Sequence, residues 1–190
     1  MKAPRAACGC LVAVVLGAGA ARADLVNGDF ETGNLNGWTA AGSVSINSSQ
    51  AHNGNFCALF QDTSGASLSQ TVATTSGTMY VIDFFLKHPA ATETGASFVV
   101  NWNGSPVLTL PTNTPGNYLE YQVTVTATGS STPVQFVGTS GNQSGFWAFD
   151  DAHLTVATPE PATVVLFGVA TPIAAGALWR RRRGSPAAPR

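Results

Sequence analysis

Between Asp24 and Ala157, short apolar runs alternate with clusters of Gly, Asn, Ser and Thr. Within the runs, apolar positions recur at every second residue. Tyr121-Gln122-Val123-Thr124-Val125-Thr126 is the clearest case, and this is the period of a strand with one buried face. The pattern predicts strands at 25–30, 43–47, 56–61, 67–73, 79–87, 96–102, 106–110, 118–126, 132–138 and 146–156. Many short strands separated by turn residues describe a sandwich or barrel. Asn103-Gly104 lies between two of the runs and favours a type I′ turn, which predicts a hairpin there. No helical stretch of ten residues and no internal repeat appears in this region.

The two ends follow a different pattern. Met1-Lys2-Ala3-Pro4-Arg5 precedes an apolar run over 11–21 and the small-residue site Ala21-Arg22-Ala23. That order is expected of a secretory signal peptide over 1–23, with cleavage leaving Asp24 first. At the other end, the 17 residues from Thr163 to Trp179 carry no charge and run into Arg180-Arg181-Arg182-Arg183. At ~1.5 Å per helical residue such a run nearly spans a ~30 Å hydrocarbon core, so a single transmembrane helix is expected. The arginines hold their end in the cytoplasm, which exports the region before it.

Composition sharpens this division. Gly, Ser, Thr and Asn make up 57 of the 134 residues over 24–157, which disfavours an all-helical body. The same span holds nine acids and one base, Lys87, so its net charge is −8 although the whole chain is near neutral. Phosphate backbones repel such a body, so nucleic-acid binding is disfavoured and no nucleic-acid partner is expected. Cys57 is the only cysteine outside the segment expected to be removed, so no internal disulfide is expected.

Pro159-Glu160-Pro161, the apolar span and the arginine cluster Arg180–Arg183 together resemble the PEP-CTERM sorting signal. The resemblance implies a Gram-negative host that makes exopolysaccharide. It also implies processing near Pro159-Glu160-Pro161 by an exosortase in the membrane. The expected organisation is therefore a signal peptide at 1–23, a body at 24–157, a sorting signal at 158–184 and a tail at 185–190. A plain single-span anchor is the alternative.

The body carries Asn27-Gly28-Asp29-Phe30-Glu31, then Gly37-Trp38, His52-Asn53-Gly54-Asn55-Phe56 and Leu68-Ser69-Gln70-Thr71-Val72. Gly77-Thr78-Met79-Tyr80 and Asn101-Trp102-Asn103-Gly104 follow, and Phe149-Asp150-Asp151-Ala152-His153-Leu154 closes the series. In this order they are similar to galactose-binding-like jelly rolls, including carbohydrate-binding modules of families 4 and 9. The resemblance implies an all-β jelly-roll sandwich. It also implies a structural Ca²⁺ held by Glu31 and Asp150, with carbonyls of Asp29, His52 and Asn55. Asp151 replaces Asp150 if a bulge shifts the register. Carboxylates gathered from both ends of a chain repel unless a cation lies between them, and Ca²⁺ takes oxygen ligands of this kind. Otherwise these acids are ordinary surface or capping groups.

The aromatics Trp38, Trp102, Trp147, Tyr118 and Tyr121 suit either a sugar-stacking platform or a sandwich core. Trp38 reads as core, and Trp102 and Trp147 are the ligand candidates. No nucleophile elbow, zinc-protease motif, paired-cysteine motif or phosphate loop occurs. The expected function is a non-catalytic, exported surface or matrix protein, associated with exopolysaccharide and able to bind carbohydrate. A structural or adhesive matrix protein is the alternative, and a glycan hydrolase a remote one.

Overall fold

Alternating side chains become ten strands in the computed structural model, which describes residues 24–88, 94–111 and 116–157. They are β1 (Thr39–Ala41), β2 (Val44–Asn47), β3 (Cys57–Phe60), β4 (Ala66–Ala73) and β5 (Met79–Lys87). Then come β6 (Ser97–Trp102), β7 (Ser105–Pro111), β8 (Leu119–Thr126), β9 (Ser131–Thr139) and β10 (Trp147–Val156). They form two five-stranded sheets, ordered β1-β4-β9-β6-β7 (sheet A) and β2-β3-β10-β5-β8 (sheet B). Every ladder is antiparallel. This is the jelly-roll sandwich that the sequence predicts. The expected signal peptide, sorting signal and transmembrane helix lie outside the described residues. Among the described residues no helix is long and apolar enough to cross a membrane.

Tyr80, Ile82, Phe84 and Leu86 point from β5 into the space between the sheets, and all are buried. Phe98 from β6, Phe136 from β9 and Phe149 from β10 meet them there. Phe136 and Phe149 approach to 4.6 Å between ring centroids. Each buried aromatic of this kind contributes about 1.5–3 kcal/mol by leaving water.

The opening segment departs from expectation. Residues 25–30 form turns rather than a strand, with positive φ at Asn27 (54°) and Phe30 (56°). Asn27 explains the turn, because its amide donates to the carbonyls of Asn34 and Asn36. Leu25, Phe30 and Trp38 are nevertheless buried, so the apolar pattern reports burial here and not extension. The short edge strand β1 follows, where no strand is expected. The predicted hairpin is present between β6 and β7, with φ of 51° at Asn103 and 79° at Gly104, as a type I′ turn requires.

β10 lies in the middle of sheet B, bonded to β3 on one side and β5 on the other. Its pairing with β5 shifts between Asp150 and His153, where Asp151 takes a φ of 49°. Inside this bulge the Ala152 N–H donates to Gly28 O at 2.9 Å, tying the opening turn to the last strand. At the strand's end, Ala157 N–H donates to Met79 O at 2.9 Å.

Candidate functional site

The odd positions of β5 face outward: Val81, Asp83, Phe85 and Lys87 are half-buried. Phe85 is a large ring on the solvent side of sheet B, with Asp150 of β10 and Glu120 of β8 opposite it. The segment between β2 and β3 crosses this face and covers part of it. Lys87 Nζ donates to Gln50 Oε1 at 2.8 Å, and Tyr118 Oη donates to Gln50 O at 2.7 Å. Beneath it, Cys57, Leu59 and Ala148 form a small second apolar cluster, with Ala51, Tyr118 and Phe146 against it. Burial raises the Tyr118 hydroxyl above its ordinary range and pushes the Cys57 thiol up to about 11, so neither ionises in ordinary buffers.

His52 completes the face. Its ring lies flat on Phe85, with centroids 3.8 Å apart and planes at 14°, and meets Tyr118 edge-on at 5.0 Å. Its Nδ1 lies 2.8 Å from Asp151 Oδ2, which fixes the ring's rotation. The side chain is 30% exposed, so the ring stands over Phe85 with surface in solvent.

Two carboxylates hold the loop that carries His52. Asp150 is fully buried. Its Oδ2 accepts the N–H of His52 at 2.8 Å and of Asn53 at 3.4 Å, and its Oδ1 accepts that of Asp151. Burial pushes the Asp150 carboxyl up to about 6, against the pull of these donors. Glu31 takes the far side of the loop. Its Oε1 accepts the N–H of Asn55 at 2.7 Å and of Phe56 at 2.9 Å, and Oε2 accepts Asn55 Nδ2. These amides hold its carboxyl below the usual range. Asp29 in turn accepts the Glu31 N–H at 3.3 Å. Glycine suits position 54, where φ is 67°, and a Cβ there would displace the Glu31 carboxylate from its place against the loop.

The structure thus brings Glu31, Asp150, His52 and Asn55 to one loop, with Asp29 and Asp151 adjoining it. Among the described residues no three His, Cys, Asp or Glu side chains converge as a metal-binding group. The remaining donor capacity does fit a hard cation. Glu31 Oε2 and Asp150 Oδ1 each accept a single N–H, so each keeps a lone pair. No lysine or arginine pairs with either carboxylate among the described residues, since Lys87 bonds to Gln50.

The two ligand candidates among the tryptophans are corrected. Trp147 is fully buried against Phe98 and His88, and its indole N–H donates to Thr139 O at 2.9 Å. Trp102 is 5% exposed and donates to Thr126 O. Both belong to the parity of their strands that faces the opposite sheet. Tyr121 also points inward, stacked on Phe84 at 5.6 Å, and Trp38 is core as expected. Phe85 is the residue that the sequence analysis missed. Its signal is the outward parity of β5, which puts one ring among Asp83 and Lys87. Pro159, Glu160, Pro161 and Arg180–Arg183 lie outside the described residues.

Residues 23–145 match the family model described as a carbohydrate binding domain, of families 4 and 9. The chain belongs to this carbohydrate-binding family. Residues 157–183 match the PEP-CTERM protein-sorting motif. No curated protein matches the chain. Among solved structures, TmCBM61 in complex with β-1,4-galactotriose is similar at a TM-score of 0.56 and 19% identity, over 69% of this chain and 96% of that one. The CBM22-1 xylan-binding domain from Paenibacillus barcinonensis Xyn10C gives 0.52 and 19%, over 75% and 99%. The Stig cyclase Fisc from Fischerella gives 0.53 and 15%, over 74% and 100%. These likenesses show the fold alone, and the fold serves both binding modules and an enzyme.

Proposed function

We propose that this protein is an exported, non-catalytic saccharide-binding protein, and that the outer face of sheet B receives the glycan. The observation that carries the reading is the His52 ring, laid on Phe85 at 3.8 Å with 30% of the side chain in solvent. A pyranose presents an apolar C–H face that suits a flat ring, and its hydroxyls suit carboxylates and amides beside that ring. Asp83, Glu120 and Gln122 supply such groups on the same face. The sorting motif supports export, with an exosortase and the membrane as transient partners. Exopolysaccharide at the surface of a Gram-negative cell is the ligand source this destination suggests.

A bound Ca²⁺ is the second part of the proposal. Asp150 is a fully buried carboxylate answered only by amide N–H groups, and a cation between it and Glu31 would answer its charge. Its ligands would be Glu31 and Asp150, with carbonyls of Asp29, His52 and Asn55. It would brace the His52 loop and take no part in chemistry.

Isothermal titration of the purified protein against a panel of soluble glucans, galactans and xylans tests the binding reading. The expected result is saturable binding to at least one, weakened about tenfold by His52→Ala. That change leaves the backbone N–H to Asp150 in place, so the melting temperature should hold. No binding across the panel, or full affinity in His52→Ala, would overturn the reading.

A further inference from the structure

We infer that this face selects saccharides by charge, taking amino-sugar units ahead of neutral ones and refusing uronic acids. The inference rests on the saccharide site proposed above and names the class of ligand it takes.

Two carboxylates stand one outward step from the aromatic stack. Asp83 precedes Phe85 on the same face of β5, about 7 Å away along the strand. Glu120 lies opposite Phe85 on β8. Gln122, opposite Asp83, joins them: its Nε2 donates to Asp83 Oδ2 at 2.7 Å and to Glu120 Oε1 at 3.1 Å. One amide NH₂ therefore spends both hydrogens holding two carboxylates side by side. Each carboxylate keeps its second oxygen for a donor that arrives with a ligand. A sugar ring seated on His52 brings the substituents of its neighbour over this pair.

Nothing fixed on the face neutralises them. Lys87, the only base in the body, lies four residues up the strand from Asp83, or about 13 Å. Its ammonium is bonded to Gln50 and sits 5.7 Å from the Tyr118 ring centroid. His153 pairs with Asp83 from β10, but its Nδ1 lies 3.9 Å from Asp24 Oδ1, and it is charged only when protonated. Asp151 is engaged by His52 and adds further negative charge beside the stack. A protonated sugar amine gains charge-assisted hydrogen bonds from Asp83 and Glu120, whereas a uronate meets like charge.

Three β-1,4-linked hexamers that differ in charge test this with the purified protein in low-salt buffer near pH 7. They are cellohexaose, the glucosamine hexamer and cellouronate. The glucosamine hexamer should bind about tenfold tighter than cellohexaose, and cellouronate should show no binding. The preference should shrink as salt is raised. Asp83→Asn with Glu120→Gln should abolish the preference, so that the variant binds the glucosamine hexamer and cellohexaose with equal affinity. Equal binding of all three hexamers, or a preference that survives the double substitution, overturns the inference while the saccharide reading stands. Failure of all three to bind, when the wider panel is also negative, removes both.

Discussion

The two outer faces of the sandwich have opposite chemistry. None of the five strands of sheet A carries an Asp, Glu, Lys, Arg or His. Its outward positions are mostly hydroxyls and amides that bond to one another, as in Asn101 Nδ2 to Gln135 Oε1 at 3.1 Å and Gln135 Nε2 to Ser67 Oγ at 3.4 Å. Sheet B carries Asp83, Lys87, Glu120, Asp150, Asp151 and His153, with an aromatic stack in their midst. One core supports both faces, so folding does not demand the charges or the outward ring of sheet B. Sheet A shows how little an outer face of this sandwich requires. What sheet B adds beyond that is available for recognition.

The largest expected effect tests whether the tryptophans belong to either face. Trp147→Ala should cost about 3–5 kcal/mol, read by denaturant or thermal melting, because it empties a fully buried site and orphans Thr139 O. A near-normal melt with lost glycan binding would return Trp147 to the ligand surface.

A smaller effect concerns the buried acid beneath sheet B's outer loop. Without a cation, Asp150 has a folded pKa of about 6, above its unfolded value of ~3.9. The stability it contributes is fully present below about pH 4 and lost as pH rises through about 6. Bound Ca²⁺ would offset that loss. EDTA should therefore lower the melting temperature near pH 7 by several degrees, and the gap should close near pH 5, where a proton takes the cation's place. Superimposable melts with calcium and with EDTA at both values would remove the cation from the account.

The smallest effect lies on sheet A. Thr71→Lys, at an exposed outward position of β4, should change stability by under about 0.5 kcal/mol and leave glycan affinity unchanged. A loss of affinity there would show that the hydroxyl face takes part in binding. It would favour a matrix-adhesive role for the smooth surface over a single recognition face.

Strand positions were legible wherever the information was local. The predicted 79–87 coincides with β5, and Asn103-Gly104 turns as its residue types require. The opening segment misled because burial of Leu25 and Phe30 through a turn leaves the same apolar spacing as a strand. The tryptophans misled for a different reason. A ring's side of the sheet depends on parity, and parity is set by pairing: Trp102 lies opposite Val134 and Trp147 opposite Phe60. The convergence of Glu31 and Asp150 on one loop was legible as a motif carried at both ends of the body. His52 on Phe85 was not, because it joins a loop to a strand 33 positions away.

The central place of β10 has a mechanical consequence. A pull on residue 157 enters sheet B through its middle strand, along the strand's own axis. The β10–β5 ladder from Val156↔Tyr80 to Ala148↔Lys87 then meets the load in shear, with its hydrogen bonds strained together. β3 holds β10 on its other side, whereas an edge strand in that position would be held by one ladder alone. If the chain is tethered from its C-terminal side, as the sorting motif suggests, tension on a held glycan loads the body through a strand gripped on both sides.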